Sequence, residues 1–391
     1  MLHEVSSGMI EIRHIVTPIR TFCKKANFYE ATVQSIDLQN KKVVIIHEIG
    51  KQSERTAYDQ HILEYDYLVI ALESETNFFG MEDIERHSFT MKTIDDAIAL
   101  RNHVISMLEQ ASLEQENGDL RKSLLSFVVV GGGFGGVETV GELNDFVKET
   151  VRQFYKNIFM TDIKIILVNS HDKILPEVGE ELADFALQKL KENGVQFIMN
   201  TSVKGATAST AKLDNGITIA THTLIWTAGV HPGKVIASLP CDHDKHQRIV
   251  SNNHLELPGY EGEVYALGDC ASITDPHTGK PYPPTAQHAI RQGKVAAKNV
   301  VYSIEGKRKK QKFEYKTKGM MAEIGKRAGV AQLFGFKIHG FVAWWLWRTF
   351  YLANLPTIKK KLKVMGDWTM DLVFKTDVSM IKRFEKRRYK E

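Results

Sequence analysis

Val128-Val-Val-Gly-Gly-Gly-Phe-Gly-Gly-Val-Glu138 is the stretch on which the fold turns. The apolar run Leu124 to Val130 reads as a buried strand. Gly131, Gly133 and Gly136 then keep the spacing GxGxxG, and an amphipathic helix is expected from about Val137. In such a turn Gly131 permits the tight bend. Gly133 lets backbone approach a pyrophosphate, and Gly136 lets helix and strand pack closely. The helix start adds unpaired N–H groups and a partial positive charge. Gly132 and Phe134 belong to the same loop. A glycine turn without a ligand is the bland alternative, but a strand before the loop and a helix after it favour a dinucleotide.

Moving downstream, a strand is expected over Ile163 to Val168, a helix over Gly179 to Asn193 with Gly194 as its stop, and a strand over Val195 to Met199. That βαβαβ order implies a parallel sheet. Asn169 follows the second strand, where an acidic residue commonly holds the ribose 2′-hydroxyl. Asn169 can hydrogen-bond a hydroxyl but has no charge to repel a 2′-phosphate; NADH is preferred to NADPH. Strand pairs are expected over Val203 to Leu213 and Thr218 to Trp226. A short strand follows at Val264 to Leu267, and a helix at Thr285 to Ile304. Upstream, Phe28 to His47 reads as two strands turning near Leu38-Gln39-Asn40, Tyr65 to Leu72 as a buried strand, Asp95 to Gln110 as a helix and Glu114 to Lys122 as a polar loop.

The chain of 391 residues is 43% hydrophobic and 25% charged, with a formal net charge of only +4. Wholesale disorder and a nucleic-acid-type polycation are both excluded. Cys23, Cys241 and Cys270 form no close pair, which argues against a disulfide framework and against thiol–disulfide chemistry. No signal-peptide pattern opens the chain. The longest apolar stretch, Phe341 to Leu355, is broken by Arg348 and falls short of the ~20 residues of a spanning helix.

Several segments together resemble the type II NADH:quinone oxidoreductases. They are Tyr65-Asp-Tyr-Leu-Val-Ile-Ala-Leu-Glu-Ser-Glu-Thr-Asn-Phe-Phe-Gly80, the glycine loop itself, Ile225-Trp-Thr-Ala-Gly-Val230, Val264-Tyr-Ala-Leu-Gly-Asp-Cys-Ala271 and Thr285-Ala-Gln-His-Ala-Ile-Arg-Gln-Gly293. The stretch from Lys318 to Asp371 also looks like the family. The resemblance implies FAD, NADH and a membrane quinone. It implies that Asp269, after Gly268, accepts a ribityl hydroxyl, and that Ala286 and Gln287 start a helix facing the electron-rich end of the flavin. It makes Glu138 a candidate for proton delivery near the nicotinamide and quinone. Ala228 and Gly229 would give close backbone approach on the nicotinamide side. Taken without the resemblance, Glu138 reads as a solvated first-turn glutamate. Cys270 reads as a small core residue.

Three features depart from the family. No Gly-rich strand-turn-helix for FAD precedes residue 131, so about 30 or more residues are expected to be missing through a late gene start or a truncated paralogue. Glu73 stands where the family has glycine, and its carboxylate would repel a diphosphate. Arg291 stands where the family often has a second glutamine lining the quinone site; arginine could still donate to a quinone carbonyl.

Phe341, Trp344, Trp345, Trp347, Phe350 and Tyr351 crowd one segment, followed by Lys359, Lys360, Lys361 and Lys363. A second basic cluster, Lys382, Arg383, Lys386, Arg387, Arg388 and Lys390, ends the chain. Aromatics favour the headgroup boundary, polybasic residues add about 1 kcal/mol each near an anionic leaflet, and Arg348 could snorkel. A homodimer through the same region is the other use. The expected architecture is α/β, with two nested Rossmann-like dinucleotide-binding domains and a C-terminal membrane-associating helical segment. Residues 1–92 and 246–318 form the FAD-binding domain, 93–245 the NADH-binding domain and 319–391 the membrane-surface or dimerisation region. The expected protein is peripheral, on the cytoplasmic face of the cell membrane, and binds no metal and no nucleic acid. Its expected activity is non-pumping NADH:quinone oxidoreduction, with Glu138, Gln287 and Arg291 at the chemistry. The rivals are a non-catalytic NADH-binding paralogue and a sulfide:quinone oxidoreductase.

Overall fold

The computed structural model describes residues 1–49, 57–114, 116–307, 309–317, 319–374 and 377–381. The terminal basic cluster from Lys382 to Lys390 lies outside them. The chain forms two compact units. One comprises Met1–Pro18, Phe78–Gly229 and Lys318–Glu391; the other comprises Ile19–Asn77 and Val230–Thr317.

The first unit is built on four parallel strands in the order Thr223–Trp226, Ser126–Val130, Lys164–Val168 and Val195–Ile198. Successive side chains alternate between its faces. Phe127, Val129, Ile165 and Leu167 pack against the helices Ile94–Leu113, Phe134–Phe154 and Glu180–Glu192. Val128, Val130, Ile166 and Val168 pack against the antiparallel strands Val203–Thr207, Thr210–Leu213 and Thr218–Ala220. Burial on both faces explains why these central strands are continuously apolar. Gly194, at φ 88°, closes the helix Glu180–Glu192 as expected from sequence.

The second unit contains an antiparallel sheet of Thr32–Asp37, Lys42–Ile49 and Ala57–Glu64. Its first turn is tied by Asp37, whose Oδ1 accepts the N–H groups of Gln39 and Asn40. The strand read over Tyr65 to Leu72 narrows to Leu68–Ile70, paired in parallel with Val264–Ala266. The helix Ala286–Ile304 also belongs to this unit.

One expectation changes. The polar loop read over Glu114 to Lys122 contains a helix, Gly118–Leu124, capped by Asn117 Oδ1 receiving the Leu120 N–H at 3.0 Å. Its stability is tertiary, because the Arg121 guanidinium donates to the carbonyls of Ala111 and Asn157. Residues 1–18 and 78–92 lie in the unit of the parallel sheet, and 230–245 in the other. A sheet of Gly319–Glu323, Gly329–Leu333 and Phe336–Gly340 is followed by the helices Phe341–Asn354 and Ile358–Val373, all in the unit of the parallel sheet. No helix among the described residues is long and apolar enough to cross a membrane.

The C-terminal sheet meets the helix Phe134–Phe154 backbone to backbone at Gly141. A Cβ there would stand 2.8 Å from the carbonyl carbon of Ile324. Gly141→Val should therefore lower stability by about 1–3 kcal/mol through overpacking. Urea unfolding should show an earlier midpoint at unchanged m-value.

Candidate active site

The glycine loop has the geometry that its spacing predicts. Gly131 takes a φ of 114°, and a Cβ on Gly136 would stand 1.9 Å from the Gly131 carbonyl oxygen. Around Gly133 and Gly135 a Cβ would meet nothing within 4 Å. The helix begins at Phe134 with no side chain capping its first N–H groups. Open space, free donors and the positive end of a 21-residue helix form a cradle that fits a dinucleotide pyrophosphate.

The loop is held from behind. Gly131 N–H donates to the Val168 carbonyl at 2.9 Å, and Leu175 N–H donates to the Gly132 carbonyl at 2.8 Å. Asn169 does the rest: its Oδ1 accepts Gly132 N–H at 3.0 Å. Its Nδ2 donates to the carbonyls of His171 and Lys173 at 3.1 and 2.9 Å. Both amide protons are thus used inside the protein, where the side chain clamps the loop, while its Oδ1 keeps a second lone pair for a hydroxyl. Thr227, which sequence reasoning passed over, donates its hydroxyl to the Val130 carbonyl at 2.7 Å beside Gly131. Ala228 and Gly229 follow it at the end of the parallel sheet, with Gly229 at φ 92°.

Glu138 is not a solvated glutamate: only 14% of its side chain is exposed. Its Oε1 accepts the Trp347 indole N–H at 3.1 Å, and its Oε2 lies 3.7 Å from His3 Nδ1. His3 Nε2 in turn lies 3.3 Å from Glu323 Oε2, whose Oε1 accepts the Trp344 indole at 2.7 Å. Glu4 adds a third carboxyl, receiving the Trp368 indole at 2.9 Å with Arg348 at 3.7 Å. Burial holds the carboxyls of Glu138, Glu142 and Glu323 above the usual range, and that of Glu4 at about 8. Burial pushes His3 down to about 3. Nothing local in the sequence signals this cluster, because its members come from both ends and the middle of the chain.

In the second unit, Asp269 follows Gly268 in a single 3-10 turn, and Asp269 Oδ2 accepts the Ser74 hydroxyl at 3.3 Å. Gln292, buried and unassigned from sequence, accepts the Gly268 N–H at 2.8 Å. Asp269 opens on a cleft of about 680 Å³ lined also by Ser74, Lys245, Arg248 and Lys280. A carboxylate for hydroxyls beside cations for phosphates fits a flavin dinucleotide. Glu73 is exposed and does not line this cleft. Ala286 and Gln287 open their helix as expected, with Gln287 Oε1 accepting the Tyr315 hydroxyl at 3.3 Å. Arg291 is more committed than expected: it donates to the Gln287 carbonyl at 2.6 Å and stacks 4.2 Å from the Tyr315 ring. Cys270 is fully buried with its thiol pushed up to about 11, so it is the core residue expected and no nucleophile.

The C-terminal aromatics divide. Trp344 and Trp347 are buried on the carboxyl cluster, whereas Phe341, Trp345 and Phe350 are exposed. Arg348 does not snorkel; it is 6% exposed and lies over the rings of Trp344 and Trp368 at 4.1 and 4.8 Å.

Residues 2–293 match the family described as pyridine nucleotide-disulphide oxidoreductase, and residues 317–377 match the NDH2 C-terminal domain. A probable NADH dehydrogenase of Dictyostelium discoideum is 32% identical over 97% of this chain and 82% of its own length. The type II NADH:quinone oxidoreductase of Staphylococcus aureus is 31% identical over 87% of this chain and 80% of its own. The structure of NDH2 from Plasmodium falciparum in complex with NADH shares the fold, with a TM-score of 0.85 at 20% identity, covering 97% of this chain and 92% of that one.

Two measurements check this geometry. Asn169→Ala strands a buried N–H and two carbonyls, so dinucleotide affinity should fall about ten-fold, consistent with about 1–3 kcal/mol per unsatisfied group, as read by calorimetric titration. The buried acids and His3 have opposite pH signatures. A carboxyl raised on folding loses its stabilising contribution as pH rises, while a depressed histidine gains until its unfolded value of 6.5. From pH 6.5 to about 8 the Glu4 effect is no longer offset, so thermal stability should decline across that window and Glu4→Gln should flatten the decline.

Proposed function

Since the chain belongs to the pyridine nucleotide-disulphide oxidoreductases and, within them, to the type II NADH:quinone oxidoreductases, we propose that it oxidises NADH and reduces a membrane quinone without pumping protons. The observation that carries this reading is the uncapped helix start at Phe134 behind a clamped glycine loop. Gly131, Gly132, Gly133, Phe134 and Gly136 hold the NADH pyrophosphate there. The loop costs no rearrangement on binding, because Asn169, Leu175 and Val168 already fix it.

In this reading the second unit holds FAD through Gly268, Asp269 and the helix that starts at Ala286 and Gln287. Bound FAD supplies the two-electron relay between NADH and quinone. The protein's own tasks are to orient the rings, present helix dipoles and deliver a proton. Glu138 is the proton donor, because burial keeps its carboxyl protonated further toward neutral pH than an exposed glutamate. Arg291, braced on Tyr315, orients the quinone end rather than donating freely. The sulfide:quinone alternative finds no support at Cys270, whose thiol is buried.

Membrane association is read on the exposed side of the two C-terminal helices. Phe341 and Trp345 are 60% and 54% exposed on the first, and Ile358 and Leu362 are 75% and 58% exposed on the second. Lys359, Lys360, Lys361 and Lys363 flank them, which suits an anionic surface. The protein then lies peripherally on the cytoplasmic face of the cell membrane, and a homodimer would compete for the same apolar face.

Purified protein should be yellow, and NADH should bleach its flavin bands without oxygen until a soluble quinone restores them. Colourless protein that still binds NADH would favour the non-catalytic paralogue. Glu138→Gln should slow quinone turnover about 10²-fold with little change in NADH affinity. Joint replacement of Trp345 and Leu362 by serine should cut binding to phosphatidylserine-containing vesicles at least about ten-fold, because burying each apolar side chain contributes about 1.5–3 kcal/mol.

A further inference from the structure

The reaction proposed above consumes a proton that NADH does not provide. NADH, a quinone and one solvent proton yield NAD⁺ and a quinol; the hydride brings both electrons and one hydrogen nucleus. Glu138 can donate that second proton once, and then must be recharged.

We propose that Glu323 and His3 form a relay that recharges Glu138 with a solvent proton in each turnover. The inference rests on the NADH:quinone reading and extends it to residues outside the family motifs. The relay begins at a cleft of about 530 Å³ lined by Glu142, Asp145, Glu323, Arg348 and Asp371. Glu323 lines that cleft and also faces inward, with Oε2 at 3.3 Å from His3 Nε2. The other ring nitrogen, Nδ1, lies 3.7 Å from Glu138 Oε2. One imidazole thus stands between two carboxyl groups, one on solvent's side and one in the helix that carries the glycine loop.

The indoles fix which oxygen of each carboxyl faces the histidine. Trp344 holds Oε1 of Glu323 at 2.7 Å and Trp347 holds Oε1 of Glu138 at 3.1 Å. In both residues this leaves Oε2 for the histidine. His3 is 5% exposed, and burial keeps its ring neutral. A neutral imidazole accepts a proton on one nitrogen while releasing one from the other, and exchange of tautomers resets it. The proton lost by Glu323 is replaced from water in the cleft. No net charge is created in the buried region at any step if the two transfers are concerted.

Burial favours stored protons over stored anions. Glu4 is 0% exposed and its Oε2 has no hydrogen-bond partner among the described residues. Glu142 is 3% exposed and lines the same cleft as Asp145 and Asp371. Five cations, Arg348, Lys148, Arg152, Lys326 and Arg327, line that cleft against its five carboxyls, which include Glu149. The deepest carboxyls, Glu4, Glu138, Glu142 and Glu323, hold protons rather than charge because burial disfavours the anion. His3, Glu4 and Glu323 also bring ligand atoms within 4.8 Å of one another, a spacing that a metal ion could use. A ring nitrogen tied to a metal could not shuttle a proton, so the two readings exclude each other.

The test uses the full chain with its flavin and, separately, without it. In stopped-flow experiments His3→Phe and Glu323→Gln should slow quinol formation at least about ten-fold more than they slow the bleaching of flavin by NADH. Imidazole in the buffer should restore part of the loss in His3→Ala, whereas a purely structural defect would not respond. In the flavin-free protein, ¹⁵N spectra should show the His3 ring neutral from pH 6 to 8 and exchanging between tautomers, with Glu323→Gln freezing that exchange. A ring locked in one tautomer, or a stoichiometric metal lost on His3→Ala, overturns the relay whatever the activity. A protein whose His3 exchanges tautomers but which oxidises no NADH overturns the functional reading alone.

Discussion

The contact between Gly136 and the Gly131 carbonyl sets everything near the nucleotide. No side chain fits there, so helix and strand approach until the loop must fold outward with its N–H groups free. That arrangement places the positive end of the helix Phe134–Phe154 behind the loop and fixes where Glu138 emerges, on the helix's second turn. Because the same helix carries Gly141, its opposite side can take the C-terminal sheet backbone to backbone. One helix therefore receives a phosphate at its start, a proton-bearing carboxyl just beyond and a sheet along its flank.

Several buried polar groups in this protein are satisfied at long range. Asn169 clamps Gly132, Gln292 clamps Gly268, and the indoles of Trp344, Trp347 and Trp368 each bind one glutamate. Burying acids near one another is costly unless each has a donor or keeps its proton. Indoles donate without bringing charge, so they satisfy a carboxyl whether or not it is ionised. This differs from an ion pair, which would fix one protonation state.

The parallel sheet was legible in the sequence because its signals are local: an apolar strand, glycines at fixed offsets, and a helix that stops at Gly194. The helix at Ala286 was legible from the residues alone, but the roles of Asp269, Ala286 and Gln287 only through resemblance to a family. What escaped reading depended on distant partners. The helix Gly118–Leu124 looks like a polar loop until Arg121 finds the Asn157 carbonyl. Glu138 looks solvated until Trp347 and His3 cover it, and Asn169 looks free until its amide is seen spent on backbone. Arg348 reads as a membrane-edge cation because periodicity cannot tell the inner from the outer side of an aromatic helix; the structure turns it inward, onto Trp344.

The unit of the parallel sheet is assembled from three stretches that include both ends of the chain. Glu4 meets the Trp368 indole across 364 residues of sequence. At a synthesis rate of about 5–20 residues per second, the first turn of the chain waits tens of seconds on the ribosome for that partner. Throughout that interval the apolar side chains of Val5 and Ile10 lack the tryptophans that will cover them. The cover over Val5 and Ile10 is therefore completed only once Trp368 has been made.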